Sequence, residues 1–444
     1  MSSFSQLGLP EPIVKVLNSQ GITEPFPIQA AAIPDVLAGK DVLGRGPTGS
    51  GKTFTFGLPM LSLLAGSPSR PGAPRGLILA PTRELAAQIR QRLDDPAAAL
   101  GLRVLEVVGG VNINNHIRSL ASPVDLLVAT PGRAQDLINQ GKLDFSAVEI
   151  TAIDEADQMA DMGFLPQVRK LLAVTPEDGQ RLLFSATLDG DVDKLVRQFM
   201  HSPVTHSTAP ARAAVDSMEH YQLLVGGREE RNEIVPYIAA REGKTVMFMR
   251  TKHGVDRQVK KLRRVSINAH PLHGDKGQGA RTRAIEGFAE GSIPVLVATD
   301  IAARGIDISD VSLVVHIDPP AEHKAYLHRA GRTARAGTSG TVVTLVMDDQ
   351  RKEVEQLLRK AGVDAAQVAV TAGDDQLAKI TGARKPTGDP LPPPGQQPTQ
   401  NKSQPGKGNR HNHRRRGGNN RTHNGARRQQ RSTGRKGNGS HRST

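Results

Sequence analysis

Two short strings in the first half of this chain have the composition of a nucleotide site: GPTGSGKT at Gly46–Thr53 and DEAD at Asp154–Asp157. In the first, the glycines permit a tight turn whose backbone N–H groups converge on phosphate oxygens at a helix N-terminus. Lys52 would reach the β- and γ-phosphates, and the Thr53 hydroxyl would coordinate Mg²⁺. Gly46, Thr48, Gly49, Ser50 and Gly51 complete the predicted cradle. The second string ends the apolar run VEITAI, so Asp154 falls at the carboxyl edge of a sheet, where it can hold the same Mg²⁺. Glu155 beside it can orient and deprotonate a water that attacks the γ-phosphate. A plain glycine turn and a solvated acidic turn are the bland alternatives. A third string, HRAGRTAR at His328–Arg335, offers Arg332 and Arg335 for the far side of the γ-phosphate, where transfer needs positive charge. Surface ion pairing is the competing use of such arginines.

Apolar runs of strand length precede these strings and recur through the chain: DVLGRG, GLILAPT, VLEVVGG, DLLVATPG, VEITAI and RLLFSAT. Amphipathic stretches such as Arg83–Leu93 separate them, which reads as parallel strands buried on both faces. The stretch HSPVTHSTAPARAA breaks the pattern, and the alternation resumes with YQLLVG, TVMFMRT, INAHPLHG, IPVLVATD, LVVHID and GTVVTLV. The expected organisation is an N-terminal segment at 1–30, an α/β domain at 31–205, a linker at 206–216 and a second α/β domain at 217–380. From 381 to 444 the sequence turns to Pro, Gly, Asn, Gln and Arg, too polar to offset its chain entropy, and is expected to be disordered.

The 444 residues contain no cysteine, which excludes disulfides and thiolate metal sites and suits a reducing compartment. No signal peptide and no run of about 18 apolar residues is evident, so a soluble cytoplasmic protein is expected. The net charge of +14 is confined to one end: from Arg384 onward there are 15 Lys and Arg and one acid, leaving 43 of each sign before it. Affinity for polyanions that stems from net charge must therefore reside in that tail.

The ordered set of strings resembles the DEAD-box RNA helicases of superfamily 2. GITEPFPIQ (Gly21–Gln29), with Phe4 upstream, resembles their Q motif; PTRELAAQ, Gly109–Gly110, TPGR, DEAD and SAT follow in family order. VMFMRTK, LHGDKGQGAR, ATDIAARGID and YLHRAGRTAR continue the set in the second domain. The resemblance spans nearly all of residues 4–346 and implies two tandem RecA-like domains with parallel central sheets. It implies that Gln29 reads the adenine edge, that Phe4 stacks on the ring, and that Asp307 lies near the ribose; a core position in the amphipathic N-terminal segment is the alternative for Phe4. It further implies that Ser185, Thr187, Asp300 and Arg304 couple the nucleotide to a second site, with His328 linking the arginines to the first domain. Phe26 departs from the family, where Thr is common, and so do Ala330 and Ala334.

By the same resemblance, RNA lies along Pro81, Thr82, Arg83, Gly110, Thr130, Gly132 and Arg133 of the first domain. Thr251, His273, Gly274, Thr299 and Gly305 are the counterparts in the second. Most of these are small or hydroxyl residues, which lets backbone approach phosphates and 2′-hydroxyls without reading sequence; Arg83 could instead pair with a neighbouring acid. Three Tyr and no Trp argue against a base-stacking platform. The implied activity is an RNA-dependent ATPase that opens short duplexes locally. An ATP-gated RNA clamp or assembly scaffold, and a DNA helicase, are the alternatives. Partners of a ribonucleoprotein or ribosome-assembly kind fit the basic tail.

Overall fold

The protein is described from a computed structural model covering residues 3–46, 50–188, 190–207, 218–303, 311–333 and 340–394. The apolar runs form two seven-stranded sheets in which every adjacent pair is parallel. The first contains β1 (Val42–Arg45), β2 (Gly76–Leu79), β3 (Val104–Val107), β4 (Leu126–Ala129), β5 (Ile150–Ile153), β6 (Gln180–Ser185) and β7 (Val204–Ser207), in the order β3-β4-β2-β5-β6-β1-β7. The second contains β8 (Met218–Leu224), β9 (Lys244–Phe248), β10 (Ala269–Leu272), β11 (Val295–Ala298), β12 (Val311–His316), β13 (Gly340–Val346) and β14 (Ala366–Ala369), in the order β10-β11-β9-β12-β13-β8-β14.

Alternate side chains along each strand enter different cores. In the first sheet Ile78, Val128, Ala152 and Phe184 pack on one face, and Leu77, Leu127, Ile153 and Leu183 on the other. The second repeats this with Val246, Leu296 and Val314 against Met247, Val297 and Val315. Helices on both faces make the central strands continuously apolar, which is why their sequence shows runs rather than alternation. β7 and β14 were not foreseen. Each pairs on one side only, at a sheet edge, and VTHS and AQVA bury too little to leave an apolar signature.

The first domain therefore runs through Ser207, two residues into the expected linker; 208–217 lie outside the described residues. A larger correction concerns the C-terminal end. Residues 382–394 are packed rather than disordered: Arg384 N–H donates to Tyr237 O at 3.0 Å, and Leu391 N–H donates to Arg263 O at 2.8 Å. The Arg263 guanidinium returns a hydrogen bond to Pro392 O at 2.6 Å. Composition misled because two residues of backbone pairing and one buried arginine secure a segment with almost no apolar content. The remainder of the expected tail, 395–444, lies outside the described residues.

One glycine of β1 shows how tightly the site's supporting strand is held. A Cβ at Gly44 would come within 2.2 Å of the Phe184 ring on β6, and that ring packs on Phe56 with centroids 5.2 Å apart. Gly44→Ala should lower stability by roughly 1–3 kcal/mol through overpacking. The denaturant midpoint of the variant checks this; an unchanged midpoint would mean that the Phe184 ring moves aside freely.

Candidate nucleotide site and its approach from the second domain

β1 and β5 end at the same edge of the first sheet, and each delivers one charge. After β1, Gly51 caps the helix Lys52–Leu64 in a left-handed conformation, φ +88°. Only glycine serves here, because a Cβ would lie 2.7 Å from Gln29 Nε2 and 2.8 Å from the Phe26 ring. Lys52, 5% exposed, donates to Gly46 O at 3.1 Å and to Glu155 Oε1 at 3.0 Å. Glu155 itself stands at φ +53°, a conformation uncommon for a side-chain-bearing residue, at the start of the helix Ala156–Asp161. That turn aims its carboxylate back toward Lys52.

Electrostatics separates the two neighbouring acids. Burial alone would push both up, and it does push Asp154 up to about 7, since Lys52 offsets only part of the cost. Glu155 is also fully enclosed, but its contact with Lys52, with help from His328 and Arg332, holds it well below the ordinary carboxylate range. Burial pulls Lys52 down, yet the Glu155, Asp154 and Asp157 carboxylates together raise it above its ordinary value. The cluster is thus a charged lysine and glutamate beside an aspartate poised near neutrality. Thr53 is half-buried one residue along. The Ser50 hydroxyl is buried with no hydrogen-bond partner among the described residues, in the turn where phosphate oxygens are expected. The residues present fit a triphosphate. Thr48 and Gly49 lie outside the described residues.

A cavity beside this turn is lined by Ile22, Phe26, Gln29, Gly51, Phe54 and Arg92, among others. The Gln29 amide is held at both ends: Phe26 N–H donates to its Oε1 at 2.8 Å, and its Nε2 donates to Gly51 O at 3.0 Å. The exposed ring at the cavity is Phe26, at 50%, whereas Phe54 is 8% exposed and Phe4 is 1% exposed inside the first core. This corrects the expectation for Phe4. An aromatic sealed among Leu7, Leu9 and Ile13 presents no face for stacking, and Ile22 and Phe26 take its place at the cavity.

The fourth letter of DEAD, passed over in the sequence reading, is the hub of the link to β6. Asp157 N–H donates to Ser185 Oγ at 3.2 Å, and Ser185 Oγ donates to Thr187 O at 2.6 Å. Thr187 returns its N–H and hydroxyl to Asp157 Oδ2 at 3.0 and 3.2 Å. His328 of the second domain places Nε2 3.9 Å from that same oxygen. Arg332 is 4% exposed one turn on, with Nε donating to His328 O at 3.4 Å. Asp300 accepts from Arg329 Nη2 at 2.8 Å, and Arg329 lies over the Phe248 ring, 5.0 Å from its centroid. Asp300 thereby braces the helix His323–Ala330 that carries His328. Arg304, Gly305, Asp307 and Arg335 lie outside the described residues.

The remaining candidates divide by exposure. Thr82 and Thr251 cap helices, accepting from Leu85 N–H at 3.2 Å and Gly254 N–H at 3.1 Å. Pro81 is buried, and Thr130 Oγ1 accepts from Gly109 N–H at 3.3 Å. Gly110 sits at φ +69°, and the Arg83 guanidinium fills the space its side chain would need. Arg83 has no acidic partner among the described residues; its neighbour Glu84 pairs instead across the two domains. Arg281 Nε lies 3.1 Å from Glu84 Oε1, and Gln278 donates to the same oxygen at 3.2 Å. Arg133 holds the 111–116 turn through Val111 O at 2.9 Å and His116 Nδ1 at 2.7 Å. Gly132 and Gly274 face open space, and Thr299 is half-buried at the end of β11. His273 is a second correction. It is 2% exposed, with Nε2 3.1 Å from Asp256, and is too enclosed to meet a strand directly.

Comparison with known proteins agrees with this geometry. Residues 26–195 match the model of the DEAD/DEAH box helicase family, and residues 230–337 that of the helicase conserved C-terminal domain. The chain is 40% identical over 350 residues to the ATP-dependent RNA helicase SrmB of Escherichia coli (strain K12), covering 78% of this chain and 79% of that protein. It is 39% identical over 369 residues to a chloroplastic DEAD-box ATP-dependent RNA helicase, 3A, of Zea mays, where it spans only 49% of the relative's length against 81% of its own. Among solved structures, S. cerevisiae Dbp5 bound to RNA and ADP BeF3 superposes with a TM-score of 0.75 at 27% identity, covering 86% of this chain and 99% of that one. With both halves of its fold, its motifs in order and a bacterial relative matched over most of its length, the chain belongs to the DEAD/DEAH box helicase family.

Proposed function

We propose that the protein is an RNA-dependent ATPase that binds ATP on the first domain, closes the second over it when RNA is present, and separates short duplexes locally. One observation carries this reading: Lys52, Glu155 and Asp157 of the first domain and His328 and Arg332 of the second belong to one electrostatic cluster. Relatives named as ATP-dependent RNA helicases, and a superposing protein bound to RNA and ADP BeF3, support it. A cysteine-free sequence suits the cytoplasm.

Lys52 exchanges Glu155 for the γ-phosphate, which frees the Glu155 carboxylate to orient the attacking water and take its proton. Thr53 and Asp154 would hold Mg²⁺, which when bound neutralises charge on the phosphates. Arg332, with Arg335, adds positive charge from the second domain, so hydrolysis waits for closure. Ser185, Thr187 and Asp157 relay that closure to the strand surface around Gly110, Thr130, Gly132, Gly274 and Thr299. Asp300 holds Arg329 and so the helix that carries His328, and the family resemblance assigns Arg304, Gly305 and Asp307 to the same domain's part in coupling, strand contact and ribose contact. The purine rests on Ile22 and Phe26 with its edge toward Gln29. The basic segment after 394 adds sequence-independent affinity for RNA and for ribonucleoprotein partners.

Glu155→Gln should keep ATP and RNA affinity within about twofold while hydrolysis falls by about 10² or more, the worth of a general base. Stopped-flow phosphate release checks this, with unwinding of a short duplex as a second readout; normal hydrolysis would remove Glu155 from its role. Phe26→Ala should raise KM for ATP about 3- to 10-fold, the worth of a lost ring contact. Phe4→Ala should instead cost about 3–5 kcal/mol of stability with KM unchanged. Steady-state kinetics and melting of both variants decide, and the reversed pattern would return the purine to Phe4.

A further inference from the structure

A groove of about 840 Å³ runs along the outer edge of the second sheet, away from the nucleotide cluster. Its walls are the helices Lys252–Arg264 and Gln278–Ala289, its floor includes His270 and Pro271 of edge strand β10, and Leu391–Pro394 bounds it. Five cations line it: Lys260, Arg263, Arg264, Lys276 and Arg283. Lys260 and Arg264 are one helical turn apart and so share a face. The groove's acid, Asp256, is already taken by Lys276 at 2.7 Å and by His273. Lys260, Arg264 and Arg283 are exposed and have no acidic partner among the described residues. Arg263 is buried, and among the described residues its guanidinium meets neutral acceptors, Pro392 O at 2.6 Å, Asn268 Oδ1 at 2.7 Å and Ala269 O at 3.3 Å. Burial, with the Arg263 charge beside it, pulls His270 down to about 4 and keeps it neutral.

We propose that this groove binds the phosphates of a single RNA strand, extending the RNA track beyond Gly274 along the outer edge of the second domain. The inference rests on the RNA-dependent reading above. Charge argues for a polyanion, and the chain's own sequence beyond Pro394, residues 395–444 with 13 Lys and Arg and no acid, has the wrong sign to occupy it. Continuity argues for RNA: Lys276 lines the groove two residues from exposed Gly274, and its N–H closes the turn onto His273 O at 3.1 Å. The lining contains no Phe, Tyr or Trp among the described residues, its ring being the part-buried His270, so the strand is held by its backbone and without base preference. The strap at Leu391–Pro394 is hydrogen-bonded to Arg263 and so fixes one end of the groove in place.

The test uses the full chain with Lys260→Gln, Arg264→Gln and Arg283→Gln combined. Lys352→Gln, Arg359→Gln and Lys360→Gln, on the helix that meets β14 at the opposite sheet edge through Glu355 and Gln367, give an equal charge change as control. Fluorescence anisotropy with a non-hydrolysable ATP analogue is read on RNAs of about 6 and about 20 nucleotides. The groove variant should bind the short RNA like wild type and lose about tenfold on the long one, with a log affinity–log salt slope smaller by about 2 for three phosphates released. The control variant should lose no more than about twofold. Unchanged long-RNA binding, or equal losses at both lengths, would overturn the proposal. So would poly-glutamate binding that the groove variant loses while RNA binding stays intact, which would assign the groove to an acidic peptide. If wild-type ATPase were not stimulated by RNA at all, the RNA-dependent reading itself would fail, a result separate from the length comparison.

Discussion

The Lys52–Glu155 contact is the constraint around which the rest of the first domain is arranged. An ammonium and a carboxylate 3.0 Å apart, both about 5% exposed, are tolerable only because each neutralises the other. Removing either partner from such a pair typically costs 3–5 kcal/mol, since it leaves a charge buried alone. Two parallel strands ending at one edge, a left-handed glycine before Lys52 and a left-handed glutamate after β5 all serve to bring these two groups together. A buried pair of this kind is also one that a triphosphate can replace, because the phosphates supply the negative charge that Lys52 requires.

The second constraint is that Asp157, beside this pair, meets the other domain at His328, which together with Arg332 also acts on Glu155. Asp157 has one carboxylate oxygen shared by Thr187 and approached by His328, and its N–H is tied to Ser185. Any shift of His328 therefore alters the field at the SAT turn and at Glu155 together. Glu84 makes an independent bridge to Gln278 and Arg281. The two bridges join the domains at different places, one at the nucleotide and one beside Arg83 and Gly110.

Much of this was legible in the residues. Buried parallel strands must be apolar on both faces, so twelve of the fourteen announced themselves, and the phosphate turn and acidic string fell at the predicted edge. What escaped has common physical causes. Edge strands such as VTHS bury little. The sealed position of Phe4 stood only as the alternative to stacking, and the choice between them, like the sealing of His273, depends on tertiary packing. Asp157 and Glu84 sat inside quoted motifs, but their partners are 30 and more than 190 residues away in sequence. The packed strap at 382–394 was hidden by its composition, because its anchor is a buried arginine on another helix.

The central claim is that catalytic competence depends on the Asp157–His328 approach between domains. A double-mutant cycle with Asp157→Asn and His328→Ala, read as RNA-stimulated kcat/KM for ATP, measures that dependence directly. Strong non-additivity is expected, with the double variant scarcely slower than the worse single one and a coupling energy above about 1 kcal/mol. Additive losses within about 0.5 kcal/mol would contradict it, and would mean that the two halves act on the nucleotide separately.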